Sequence, residues 1–170
     1  MTDTLVDADR AVATDTSLLL NFLRIERTNI LGALPGFRFY VLNHVVNEVI
    51  QEPHASRLQT ALNQGDVVEF ELTDLEAIAD YDGLRANLGD GEAATIAAAG
   101  HLQWVIGIDE KGRAKREAIA RVGEQNLLNT PGILVHSVRV GLLTLDEAEQ
   151  IRLDLAAQSY RIKPMIVDLM

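Results

Sequence analysis

The chain has 170 residues, with 25 acidic and 15 basic side chains and a formal net charge of −10 at pH 7. This length suits one folded domain, and the lack of cysteine excludes disulfides, thiolate zinc sites and a cysteine nucleophile. No apolar run approaches the roughly 18 residues of a membrane-spanning helix, and the acidic opening residues lack a secretory pattern, so we expect a cytoplasmic protein without a membrane partner.

Short apolar runs alternate with amphipathic stretches, which predicts strands alternating with helices. The predicted strands lie at residues 11–14, 37–42, 67–72, 104–108 and 126–129. The predicted helices lie at about residues 18–25, 43–50, 55–63, 74–87, 91–101 and 111–122. Such alternation indicates βαβ units, so we predict an α/β fold, a three-layer α/β/α sandwich around a central, mainly parallel sheet. One domain would span residues 1–170, with 1–9 as a flexible acidic tail and 131–170 as a helical C-terminal extension.

The charges are unevenly distributed. Nine acids and one base, Arg85, lie between residues 66 and 92, so the rest of the chain is close to balanced. The net charge therefore does not exclude a nucleic-acid substrate. A basic cluster follows at Lys111, Arg113, Lys115, Arg116 and Arg121. Charge runs are most often solvated helix faces. The alternative interpretation is that Lys111, Arg113, Lys115 and Arg116 hold the phosphates of a nucleic acid.

Four acids adjoin the predicted strands. Asp15 and Asp109 directly follow the strands at 11–14 and 104–108, Glu48 lies among apolar helix residues, and Glu92 begins an alanine-rich helix. In parallel α/β folds, sites form beyond the carboxyl ends of the strands. Carboxylates that meet there repel one another unless a cation binds, and hard oxygen ligands suit Mg²⁺ or Mn²⁺. Such a cation can promote phosphodiester hydrolysis.

The same acids also have structural explanations. Asp15 would serve as a helix N-cap, and Asp90 fits the cap of the alanine-rich helix still better. Glu48 would lie partly exposed, with its aliphatic stem packed on its neighbours. The residues alone leave both interpretations open. The histidines have no paired metal-ligand spacing and are not predicted ligands; they are His44, His54, His101 and His136.

Four segments carry these acids: ATDTSLLLNFL around Asp15, VLNHVVNEVI around Glu48, LGDGEAATIA around Glu92 and IGIDEKGRAKR around Asp109. In this order and spacing they resemble PIN-domain proteins, in particular the VapC-like toxin ribonucleases of prokaryotic toxin–antitoxin pairs. The later segments TPGILV, GLL and SYRIK resemble a subgroup with a long helical C-terminus. The resemblance covers the chain from about residue 10 onward.

The resemblance implies an α/β/α sandwich and cleavage of RNA with one or two Mg²⁺ or Mn²⁺ ions. It assigns the catalytic metal ligands to Asp15, Glu48, Glu92 and Asp109, and a supporting role to Thr16 or Ser17. Asp90 and Glu110 are additional candidate ligands. Glu92 stands where an Asp is commoner, and Gly107-Ile108 precedes the fourth acid where Thr or Ser is common. An antitoxin partner and a homodimer are also implied, with apolar helix faces at 18–30 or in the tail as candidate dimer surfaces.

Two other functions stay open. The first is a binding or regulatory module that keeps the fold and its acids but cleaves nothing. The second is a metal-dependent phosphatase, which is disfavoured because Ser17 stands where the Asp-x-Asp signature needs its second Asp. The presence of all four acids favours the nuclease.

Overall fold

The computed structural model describes residues 9–170, which form a five-stranded sheet with every strand parallel to its neighbours. The strands are β1 (Arg10–Thr14), β2 (Phe37–Leu42), β3 (Val68–Phe70), β4 (Val105–Gly107) and β5 (Leu127–Leu128). They lie in the order β3-β2-β1-β4-β5. The order therefore reverses between β1 and β4, whose carboxyl ends form the edge where ligands bind in such sheets.

Helices cover both faces of the sheet. They are α1 (Thr16–Arg24), α2 (Asn29–Ala33), α3 (Asn43–Glu48), α4 (His54–Gln64), α5 (Leu75–Leu84), α6 (Asp90–Leu102), α7 (Arg113–Val122), α8 (Thr130–Arg139), α9 (Leu145–Ala157) and α10 (Ile166–Leu169). Helix α6 packs across β1, β2 and β4 and contacts α5 and α7. Right-handed crossovers place α1 and α4, which contact each other, on the opposite face. Within residues 9–170, none of the helices has the length and hydropathy to cross a bilayer.

The alanine-rich α6 is the central helix of its layer. Every residue from Ala93 to Ala99 is buried. A helix that is apolar all round belongs in the interior, and its small side chains allow its backbone to approach the sheet closely. The first turn of α6 is thereby held beside the carboxyl end of β1.

The predicted α/β/α sandwich is confirmed, and the sheet is entirely rather than mainly parallel. Strand β2 has the predicted bounds, whereas α2 was not expected from the sequence. Helix α3 ends at Glu48 instead of continuing to residue 50, because Val49 leaves the helical conformation and is buried while Ile50 is 75% exposed. The N-cap of α6 is Gly89 rather than Asp90.

The segments flanking the domain core also differ from expectation in part. Most apolar residues of the 18–30 stretch, a candidate dimer surface, are buried in the monomer, and Leu20 and Ile25 are half-buried; the buried ones are Leu18, Leu19, Phe22, Leu23 and Ile30. The C-terminal region is mostly helical, as predicted, and it exposes Leu153, Met165 and Val167. Apart from Asp9, the predicted flexible tail lies outside the described residues.

Candidate active site

Asp15 is a buried carboxylate at the carboxyl end of β1. It occupies the N-cap position of α1 but makes no capping hydrogen bond, and it is 1% exposed. Its Oδ2 accepts a hydrogen bond from Ser17 Oγ at 2.9 Å, whereas Oδ1 is buried without a partner among residues 9–170. Burial raises the pKa of Asp15 to about 6; the Ser17 hydroxyl and the nearby backbone N–H groups of Thr16 and Ser17 oppose the rise, and the charge of Glu92 adds to it. A cation would relieve this unfavourable arrangement.

Ser17 joins the ends of two neighbouring strands. While its hydroxyl donates to Asp15, its oxygen accepts a hydrogen bond from the backbone N–H of Asp109 at 3.3 Å. The N–H of Asp15 donates to the carbonyl of Gly107 in β4 at 2.8 Å. The loops after β1 and β4 are therefore fixed relative to each other through Ser17.

Glu48 reaches the same edge from the end of α3. Its Oε2 accepts from Thr16 Oγ1 at 2.7 Å, and its Oε1 accepts from the backbone N–H of Gly91 at 2.7 Å. A Cβ at position 91 would lie 2.5 Å from Oε2, so only glycine admits this contact. Glu48 is exposed rather than set in the core, because α3 ends with it.

Glu92 lies in the first turn of α6, next to Asp15. One of its oxygens accepts from the backbone N–H of Gly89 at 3.2 Å, which closes a capping box. Its side chain is half-buried. The N-terminus of a 13-residue helix favours negative charge, and this offsets part of the repulsion between Glu92 and Asp15.

Asp109 follows β4 and is enclosed by protein donors. Its Oδ1 accepts from the backbone N–H of Thr130 at 2.9 Å and from the hydroxyl of Tyr160 at 2.8 Å. Its Oδ2 accepts from Asn21 Nδ2 at 2.9 Å and from Thr130 Oγ1 at 2.5 Å. Burial and the nearby Asp109 carboxylate raise the pKa of Tyr160, so this phenol remains a donor. Asp109 thus connects α1, α8 and the C-terminal segment.

The four predicted metal ligands share one edge of the sheet but do not converge on one point. In the part of the chain from residue 9 to 170, no three His, Asp or Glu side chains are placed to hold a metal ion together. The charge of Glu92 acts on Asp15, whereas protein donors occupy both oxygens of Glu48 and of Asp109. The described residues therefore do not show the expected quartet assembled as a metal site.

The pair of Asp15 and Glu92 nevertheless fits a hard divalent cation. The buried Asp15 Oδ1 lacks a donor among residues 9–170, and carboxylate oxygens are the preferred ligands of Mg²⁺ and Mn²⁺. Glu48 is exposed, and its two oxygens accept from Thr16 and Gly91, so its carboxylate is held at the same edge of the sheet.

The additional candidate ligands lie in different surroundings. Asp90 accepts a hydrogen bond from the Tyr81 hydroxyl at 2.5 Å and lies 3.9 Å from Arg85, which directs it toward α5. Glu110 is exposed and lines a hollow of about 230 Å³ beside Asp109.

The members of the predicted basic cluster lie in different surroundings. Lys111 and Lys115 line a hollow of about 260 Å³ beside Asp109. Arg113 lines a separate hollow next to α5, and Arg116 is exposed on α7. Arg121 is bound to Asp80 at 2.7 Å and to Glu117 at 2.6 Å, so it fastens α7 instead of facing solvent. Lys111 and Lys115 are thus the members of the cluster that share a hollow with Asp109 among residues 9–170.

Sequence reasoning missed three residues that hold Asp109. They are Asn21, Thr130 and Tyr160, which lie 88, 21 and 51 residues away from it along the chain. One local signal existed for Asn21, because it follows Ser17 by one helical turn on α1 and is a buried amide in an otherwise apolar stretch.

One family model accounts for nearly the whole chain. This family, DUF3368, is described as a PIN domain, and its match covers residues 11–170. The chain belongs to the PIN-domain family. No curated protein matches it significantly.

PIN domains are generally metal-dependent nucleases. In this PIN domain, the acids predicted as metal ligands adjoin the carboxyl ends of β1, β2 and β4, on both sides of the reversal in strand order. They therefore lie at the edge of the sheet where ligands bind in parallel α/β folds.

Proposed function

We propose that this PIN domain is an endoribonuclease that hydrolyses RNA phosphodiester bonds with Mg²⁺ or Mn²⁺. The observation that carries the proposal is the buried Oδ1 of Asp15, which lies beside Glu92 without a partner among residues 9–170. Burying Asp15 without a capping hydrogen bond costs free energy, because desolvation disfavours the charged form, and a bound cation would offset this cost.

The side chains at this edge have distinct proposed roles. Asp15 and Glu92 hold the cation, Glu48 completes the set, and Asp109 contributes from the β4 side. When bound, the cation polarises a phosphoryl oxygen and lowers the pKa of a water molecule. Ser17 occupies one oxygen of Asp15 and leaves the other for a ligand. Thr16 supports the site by holding Glu48.

Positive charge is needed next to these acids to attract a polyanion. Lys111 and Lys115 are exposed and line the hollow beside Asp109. We assign them to RNA phosphates flanking the cleaved bond. Arg113 and Arg116 have a weaker claim, because they lie away from that hollow.

A second candidate function is a PIN module that binds RNA or protein without cleaving it. One observation favours it: within residues 9–170, each oxygen of Asp109 accepts two hydrogen bonds from protein donors, which disfavours metal coordination by this side chain. This alternative predicts that the binding of RNA or protein does not depend on Asp15.

The biological role follows as a further part of the proposal. We propose that the protein is the cytoplasmic toxin of a toxin–antitoxin pair, neutralised by an antitoxin encoded by an adjacent gene, and that it acts as a homodimer. The exposed apolar residues of the C-terminal region, among them Leu153, Met165 and Val167, suit a protein partner. Co-expression with the adjacent small gene product, followed by size-exclusion chromatography, tests both associations.

Cleavage of single-stranded RNA tests the proposed function. The purified protein should cut RNA with Mn²⁺ and not with EDTA, and Asp15→Asn should abolish cutting while circular dichroism stays native. Asp82→Asn is the matched control, because Asp82 is exposed on α5. Equal cleavage by wild type and Asp15→Asn would exclude the site. A wild-type protein that binds RNA but never cuts it would favour the non-catalytic module.

A further inference from the structure

Arg24 lines the hollows on both sides of the candidate site. One hollow, of about 180 Å³, is lined by Thr16, Glu48 and Arg24 among others. The second, of about 230 Å³, is lined by Ser17, Asp109 and again Arg24. Leu20 also lines both hollows, so the two meet along α1. Arg24 is therefore the base that both sides of the acidic edge share.

The helical register explains this position. Ser17, Asn21 and Arg24 are separated by four and three residues, so they lie on one face of α1. Eight residues separate Thr16 from Arg24, which is about 12 Å along the helix axis. Long helical side chains lean toward the N-terminus of their helix. The Arg24 side chain is thus directed back toward the acids from the end of α1.

The guanidinium of Arg24 is not used by the fold within residues 9–170. It donates no hydrogen bond and has no carboxylate within ion-pair distance there, although Glu48 and Asp109 line the same hollows. Arg57 and Arg121, in contrast, donate to carbonyl or carboxylate groups of the protein. The helix dipole favours a base in the last turn of α1, but it does not account for a half-buried side chain between two hollows.

We propose that Arg24 binds a phosphate of the RNA next to the phosphodiester that is cleaved. This inference rests on the proposed ribonuclease function and adds a residue that positions the substrate. Arginine suits this task, because its planar guanidinium donates two parallel hydrogen bonds to phosphate oxygens. It also supplies positive charge where the surrounding carboxylates would otherwise repel the RNA backbone.

RNA binding by the full chain tests the inference separately from cleavage. Every variant is made in the Asp15→Asn background, so that a fluorescent single-stranded RNA oligonucleotide stays intact, and its Kd is measured by anisotropy at several KCl concentrations. Arg24→Gln should weaken binding roughly tenfold or more. It should also flatten the plot of log affinity against log salt by about 0.7. Arg24→Lys should keep the slope and recover only part of the affinity.

The control is Arg38→Gln, because Arg38 is exposed on β2 and pairs with Ala11, away from the carboxyl ends of the strands. It should change neither Kd nor slope. Equal affinities and slopes for Arg24→Gln and Arg38→Gln would overturn the inference. If wild type cleaves RNA in that case, the proposed function stands and only the role of Arg24 is lost. If Arg24→Gln weakens binding but wild type never cleaves, the inference holds and the ribonuclease proposal falls.

Discussion

The hydroxyl of Tyr160 donates a hydrogen bond to Asp109 Oδ1 at 2.8 Å, across a sequence separation of 51 residues. Tyr160 belongs to the segment between α9 and α10, so the C-terminal region contacts an acid at the end of β4. Residues beyond Tyr160 anchor the segment, since Ile162 and Ile166 are buried in the core. The C-terminal region is therefore part of the candidate site.

Removal of this hydroxyl should have a measurable cost. Tyr160→Phe is expected to lower the free energy of unfolding by about 1 kcal/mol, because Asp109 keeps its other donors and the phenyl ring keeps its packing. Urea denaturation measures the change. Tyr40→Phe is the control, since the Tyr40 ring packs on Trp104 and its hydroxyl has no hydrogen bond within the described residues. Equal losses in both variants would contradict the account.

Gly91→Ala tests the contact between α6 and Glu48. A Cβ would lie 2.5 Å from Glu48 Oε2, and the flexible, exposed carboxylate should move away. We expect the free energy of unfolding to change by less than about 1 kcal/mol and the Mn²⁺ affinity to fall roughly tenfold. Calorimetric titration with Mn²⁺ measures the affinity. A Cβ at Gly83 on α5 would meet no atom within 4 Å, so Gly83→Ala should leave Mn²⁺ binding unchanged. An equal loss of Mn²⁺ affinity in Gly83→Ala would contradict the role given to the contact between Gly91 and Glu48.

The raised pKa of Asp15 predicts a pH-dependent stability. Without metal at pH 7.5, the folded protein holds a buried charge that the unfolded chain solvates better, so Asp15→Asn should raise the free energy of unfolding, on the order of 1–3 kcal/mol. The pKa of Asp15 is about 6 in the folded state, against an ordinary value of 3.8 for an aspartate. The gain should therefore shrink as the pH falls from 6 to below 4. Denaturation in EDTA across this range measures it, and a gain that persists at pH 4 would contradict the burial argument.

The sequence was sufficient for the fold, whereas the roles of the acids in the candidate site stay predictions. The apolar strands at 37–42 and 104–108 and the acids after them follow from local patterns, and in the structure the charge of Glu92 acts on Asp15. The sequence allowed an exposed Glu48 as one of two interpretations, but the end of α3 at this residue was not predictable. Nor were the donors to Asp109, since Asn21, Thr130 and Tyr160 are brought together only by the packing of distant helices.

The division of the basic cluster yields a further prediction. Lys111→Gln with Lys115→Gln should weaken RNA binding and flatten its salt dependence by roughly 0.7 per lysine. Arg113→Gln with Arg116→Gln removes the same charge from positions outside the hollow beside Asp109, and should have a smaller effect. Anisotropy titrations at several salt concentrations compare the two. Identical losses would indicate general electrostatic attraction with no preferred face.

Mn²⁺ binding by isothermal titration calorimetry at pH 7.5 tests the central claim most directly, because the claim is that Asp15 and Glu92 hold a divalent cation. Wild type should bind Mn²⁺, Asp15→Asn and Glu92→Gln should each lose measurable binding, and Asp82→Asn should bind as wild type does. Unchanged Mn²⁺ binding by Asp15→Asn, or no binding by the wild-type protein, would contradict the account.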